Sequence, residues 1–146
     1  MTVTSLAKGR SNARKKAMQA LYQWSMSDND LNDIEVQFHD EQDMARVDQD
    51  YFHTLLHEIP AHVDELDAGF TPLMDLKGKE IDPVEQAILR LSTYEMLYRL
   101  DVPYRVVIDE AIQLARTFGA DQSHKFVNGV LDKLARQHRQ PELQAK

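Results

Sequence analysis

The sequence predicts an all-α fold of about seven helices, on three observations. Apolar residues recur at spacings of three and four along most of the chain, the period of a helix with one buried face. No run of 4–8 residues alternates in the manner of a strand. Five glycines and five prolines among 146 residues are few for the turns an all-β fold demands. At 42% hydrophobic, a chain of this length can bury one core.

The elements follow in order. Ala13, Ala17, Leu21 and Trp24 form the first stripe, with Met18 beside it, and Ile34 and Phe38 mark a short second helix. Phe52, Leu55, Leu56, Ile59, Val63 and Leu66 form a long third stripe, which Pro60 is expected to kink or break because it lacks an N–H and crowds the preceding turn. Thr71-Pro72 reads as a cap followed by proline in a first turn, opening a short helix before Gly78. Asp82-Pro83-Val84-Glu85 is the clearest start signal, with Asp82 as cap, Pro83 in the first turn and Glu85 placed to reach back. From there Val84, Ala87, Ile88, Leu91, Tyr94 and Tyr98 share a broad face, closed before Pro103. Val107, Ile108, Ala111, Ile112, Ala115 and Phe118 give the next stripe, with Gly119 as a left-handed stop. Asp121 or Ser123 then caps a last helix carrying Phe126, Val127, Val130, Leu131 and Leu134, in which Gly129 suggests a close helix crossing. Residues 1–9 and 137–146 carry no pattern and are expected to be mobile tails of a single domain spanning 1–146.

Composition excludes several classes. There is no cysteine, so disulfides and thiolate metal sites are ruled out. The basic start of the chain is followed by Ser5, Gly9, Ser11 and Asn12 and not by the apolar run of a signal peptide. No stretch nears the roughly 20 apolar residues of a membrane span. The expectation is a cytoplasmic protein with no membrane partner. The net charge of −7 is unevenly spread. Residues 1–27 carry +5 with no acid, residues 28–85 carry −14, and residues 86–146 carry +2. A polyanion responds to the local field, which is positive at the N-terminus.

Four constellations are candidates for function. Arg10 and Arg14 share a helix face with Lys15 beside it, suited to following a phosphate backbone. Phe118, Gln122, Lys125 and Phe126 gather at one helix junction, where rings can stack unpaired bases and an amide can read base edges. The competing reading of both phenylalanines is core packing. His53 and His57 are four apart, and His57-Glu58-Ile59-Pro60-Ala61-His62 faintly resembles a zinc-protease motif. Its second spacing is one residue too long and Pro60 interrupts the helix, so no metal site is expected. Tyr22, Glu85, Arg90 and Tyr94 are either ordinary helix positions or a protein-binding face, Tyr and Arg being enriched at hot spots. No nucleophile triad, phosphate loop or carboxylate pair stands out, so no catalytic residue and no cofactor are expected.

The runs 17–24 (AMQALYQW), 84–95 (VEQAILRLSTYE), 101–104 (DVPY) and 108–111 (IDEA) resemble the NusB family of transcription antitermination factors. The most specific likeness is Phe118-Gly119-Ala120 together with 123–132 (SHKFVNGVLD). The likeness covers roughly residues 10–135, in order. It implies a non-catalytic factor of two packed helical subdomains, an N-terminal one of three helices and a C-terminal one of four. It implies binding to single-stranded boxA RNA of ribosomal RNA leaders, alongside the small-subunit ribosomal protein NusE, within the RNA polymerase antitermination complex. Carried onto this chain, the RNA-facing positions are Arg10, Arg14, Phe118, Gln122, Lys125 and Phe126, and Lys15 lies among them. The NusE-facing positions match Tyr22 and Glu85, with Arg90 and Tyr94 less closely matched. The chain departs from the family in having Ser11-Asn12 where some relatives carry a denser arginine run. Gln122 stands where an Asp is expected in some relatives, and loss of that anion favours RNA. The alternatives are a helical accessory domain of an RNA methyltransferase system and a protein-only scaffold that holds NusE.

Overall fold

The computed structural model describes residues 3–144, and side chains from Ser5 onward. Among them are eight α-helices and no strand. They fall into two compact units, one ending at Ala61 and the other starting at His62.

The first unit holds three helices: α1 (Val3–Met26), α2 (Leu31–Glu41) and α3 (Gln49–Ala61). Asp30 caps α2 by accepting from the Asn32 N–H at 2.7 Å. Ala13, Ala17 and Leu21 of α1 are buried, as are Ile34 and Phe38 of α2 and Phe52, Leu55, Leu56 and Ile59 of α3. The Phe38 and Phe52 rings lie 5.9 Å apart. Pro60 breaks the long third stripe as expected: α3 stops at Ala61, and His62, with φ −116° and ψ 17°, precedes the next helix.

The second unit holds α4 (Val63–Phe70), a 3₁₀ turn (Thr71–Leu73), α5 (Pro83–Tyr98), α6 (Tyr104–Phe118), α7 (Ser123–His138) and the short α8 (Gln140–Gln144). Asp82 caps α5 by accepting from the N–H groups of Val84 and Glu85, at 2.8 and 3.2 Å. Leu66, Ile88, Leu91, Ala111, Ala115, Val127, Leu131 and Leu134 are buried in its core. Thr71-Pro72 opens only a single 3₁₀ turn, Thr71–Leu73, which follows directly on α4 with Phe70 and not Thr71 at its cap position.

Both expected tails need correction within the described residues. α1 is already helical at Val3, so the segment to Gly9 is not a tail, and the Gly9 carbonyl accepts from the Asp48 N–H at 3.0 Å. Residues 1–2 and 145–146 lie outside the described range. At the other end, α7 runs to His138 and Arg139 is only 2% exposed. Its Nε donates to the Met96 carbonyl at 3.0 Å, Nη1 to Val102 at 2.9 Å, and Nη2 to Glu95 and Arg99 at 3.2 and 3.1 Å. Nη1 also donates to Glu142, whose other carboxylate oxygen accepts from the Tyr104 N–H at 2.9 Å. One guanidinium thus gathers carbonyls from the last turn of α5 and the loop after it, two of which, Glu95 and Arg99, also accept a main-chain N–H, and one carboxylate serves an open donor at the start of α6.

Candidate functional site

The basic patch is built on the N-terminal half of α1. Gly9 and Asn12 tie it to the segment between α2 and α3, the Asn12 amide donating to the Arg46 carbonyl at 3.0 Å. Between them lies a groove of about 840 Å³ walled by Ser5, Lys8, Ser11 and Asn12 on one side and Ala45–Asp48 on the other. Lys8 and Lys15 are exposed, and Arg10 is half-buried with its guanidinium 4.5 Å from the centre of the Tyr51 ring. Lys16 donates to the Gln42 side chain at 2.8 Å.

Arg14 departs from expectation. It is 3% exposed and packs 5.5 Å from the centre of the same Tyr51 ring, so its charge faces the protein and not a phosphate. Its position carried the signal: 14, 17, 18 and 21 are a helical stripe, and Ala17, Met18 and Leu21 are all core. Lys8, on the groove wall, is the exposed cation that the sequence reading left out.

The second cluster is the α6–α7 junction. Gly119 ends α6 with φ −91° and ψ 177°, extended and not left-handed as expected. Glycine is required there by space: a Cβ would lie 2.7 Å from Ser123 Cβ and 2.8 Å from the Ala115 carbonyl oxygen. The turn is held by the Gly119 N–H donating to Ala115 and by the Ala120 N–H donating to Ser123 Oγ at 3.0 Å. With Ser123 Oγ so engaged, α7 has Gln122 at its cap position and no side-chain cap from either expected residue. The tight turn leaves Gln122 and Lys125 exposed and Phe118 and Phe126 half-buried, so neither ring is fully committed to the core. Gly129 marks no helix crossing; nothing lies within 4 Å of a Cβ built there.

The four partner-face candidates diverge. Tyr22 is 37% exposed, which decides against a core role, and Met26 is exposed on the same helix. The Gln23 amide donates to Gln37 at 2.9 Å, joining this part of α1 to α2, where Val36 is also exposed. Glu85 is half-buried in the first turn of α5. Arg90 is engaged internally: Nε and Nη2 donate to the two Asp67 oxygens at 2.9 and 2.8 Å, a bidentate pair between α5 and α4. Tyr94 is corrected to a core residue at 5% exposure. The exposed ring is Tyr98, which the stripe placed inward; it stacks on Tyr94 at 5.5 Å and on His62 at 4.8 Å. Its hydroxyl donates to Glu65, and that bond holds the phenol above its ordinary pKa of 10.

Helices throughout the described residues, with a basic first helix and a junction of aromatic, amide and lysine side chains, define an all-helical protein. The sequence profile described as the NusB family matches residues 11–136. Transcription antitermination protein NusB of Pseudomonas putida (strain W619) is 54% identical over 136 residues, covering 93% of this chain and 82% of the relative. The protein of the same name from Saccharophagus degradans is 53% identical over 146 residues, covering 99% and 96%. A solved structure of T. maritima NusB superposes with a TM-score of 0.75 at 28% identity, covering 92% of this chain and 96% of that one. The chain belongs to the NusB family of transcription antitermination factors, which are not enzymes. Among the described residues, no helix is long and apolar enough to cross a membrane.

Proposed function

We propose that this chain is a cytoplasmic RNA-binding factor that recognises boxA-like single-stranded RNA together with NusE, as part of the RNA polymerase antitermination complex. The α6–α7 junction carries the reading. Two half-buried rings with an exposed amide and an exposed lysine on one tight turn suit unstacked bases better than a duplex. The exposed bases of α1, Lys8 and Lys15 with Arg10, supply sequence-independent attraction for phosphates. Tyr22 and Glu85 are the accessible candidates for NusE contact, and Arg90 could join them only by giving up Asp67. The binding mode needs neither a cofactor nor a catalytic group.

Net charge is −7, so affinity for RNA alone is expected to be modest. A partner that extends the strand-binding surface makes the second contact effectively intramolecular and raises affinity. Titration of boxA-like and scrambled RNA, with and without NusE, tests this. Tighter boxA binding in the presence of NusE is expected, and equal affinity in both arms would overturn the partnered reading.

A further inference from the structure

The two histidines set aside for their poor match to a protease motif meet a third donor that their spacing could not reveal. Glu35 of α2 receives both rings of α3: His53 Nδ1 lies 2.7 Å from Oε2, and His57 Nε2 lies 2.8 Å from Oε1. The rings are 4.3 Å apart, centroid to centroid. One donor atom from each of the three residues lies within 4.8 Å of the other two. The side chains are 60%, 27% and 16% exposed for His53, His57 and Glu35, so solvent reaches the cluster from the His53 side.

We propose that Glu35, His53 and His57 form a surface site for a borderline divalent transition metal, of which Zn2+ is the representative. Two imidazole nitrogens and one carboxylate oxygen are a donor set suited to zinc, with an open fourth position for water. Magnesium and calcium prefer oxygen donors throughout and are disfavoured. Histidines four apart on a helix stand on one face, one turn from each other, so they chelate without bending the backbone. Metal–ligand lengths of about 2.0–2.1 Å in a tetrahedron put donors about 3.3 Å apart. Both hydrogen-bonded pairs must therefore open by about half an ångström, which small side-chain rotations of Glu35, common to the two, and of the exposed His53 can supply. The surroundings favour cations: residues 28–50 contain nine acids and one arginine. A bound ion would tie α2 to α3 at their outer edge, so metal stabilises the first unit by mass action. None of the three residues is among the RNA or partner candidates above.

Isothermal titration of the metal-free full chain with ZnCl2 at neutral pH tests the site, beside thermal melts and the visible absorption of added Co2+. One ion per chain is expected, with a raised melting temperature and the intense bands of tetrahedral Co2+. Loss of an outer-shell partner alone weakens metal sites about 10–100-fold, so loss of a ligand in His53→Ala or Glu35→Gln should cost at least that. His53→Ala removes an exposed ring and is expected to stay folded, and circular dichroism checks it. His138→Ala, an exposed histidine elsewhere, should bind as the parent does. Absence of saturable binding in the parent, or undiminished binding in both ligand variants, would overturn the proposal.

Discussion

Truncation of Arg139 is the sharpest test of the fold. The side chain is 2% exposed and donates to four main-chain carbonyls, those of Glu95, Met96, Arg99 and Val102, as well as to Glu142. Arg139→Ala removes the side-chain donor from all four, although Glu95 and Arg99 keep a main-chain N–H, leaves Glu142 without its cation, and opens a large void. Each hydrogen bond to a charged group is worth about 1.5–3 kcal/mol, but the terms are not additive, since the end of α5 can frame new bonds to water. Breaking a buried charged network by removing one partner costs about 3–5 kcal/mol. That is a large share of the roughly 5–15 kcal/mol that stabilises a domain. At about 3 °C per kcal/mol for a chain of this size, the melting temperature should fall by on the order of 10 °C. Circular dichroism melts and urea titrations would measure it. Arg139→Lys keeps the charge but not the planar fork, and should recover less than half of the loss. An Arg139→Ala protein melting within about 2 °C of the parent would refute the claim that this residue fastens the C-terminal segment.

Three further outcomes follow from the same geometry. Arg14→Ala should lower stability by about 1–3 kcal/mol in urea titrations, because the guanidinium is buried against Tyr51, while leaving the salt dependence of RNA binding unchanged; an unchanged midpoint would contradict its burial. Tyr22→Ala should weaken NusE capture in a pull-down and leave the melt within about 2 °C, as expected of an exposed ring; a large drop in melting temperature would instead place Tyr22 in the core. Burial raises the Glu142 carboxyl, but the Tyr104 N–H and Arg139 outweigh it and hold the pKa below the ordinary 4.5. A carboxyl depressed in the folded state contributes stability that is complete above its unfolded value and is lost as pH falls through the folded one. Glu142→Gln should therefore flatten the loss of stability below about pH 4.5, and an acid limb as steep as the parent's would count against the pairing.

What the sequence made legible was local. Asp82-Pro83 marks a helix start because cap chemistry acts within three residues. Pro60 flags the break in the third stripe because a missing N–H and a ring clash are properties of one position, although α3 runs one residue past it. The period of the apolar residues located the buried faces, and it held the answer for Arg14 and Tyr94, which lie on those stripes and are buried. What stayed hidden was non-local. Arg139 looked like a fraying end because the carbonyls that hold it are 37 to 44 positions away. His53 and His57 could be paired from spacing alone, but Glu35 reaches them only once α2 packs on α3. Gly119 was legible as an end of helix, yet its reason is the nearness of Ser123 and not a left-handed backbone.

The central claim concerns RNA held by two kinds of contact, and one salt-series titration separates them. Fluorescence anisotropy with boxA-like RNA would be run on the parent, Arg10→Ala and Phe118→Ala at several salt concentrations. Arg10→Ala should reduce the log–log salt slope by about 0.7, the value for one phosphate contact on a single strand. Phe118→Ala should cost roughly 1–3 kcal/mol of affinity and leave the slope nearly unchanged, as loss of a stacking ring does. A folded Phe118→Ala protein that binds boxA-like RNA as tightly as the parent would contradict the account.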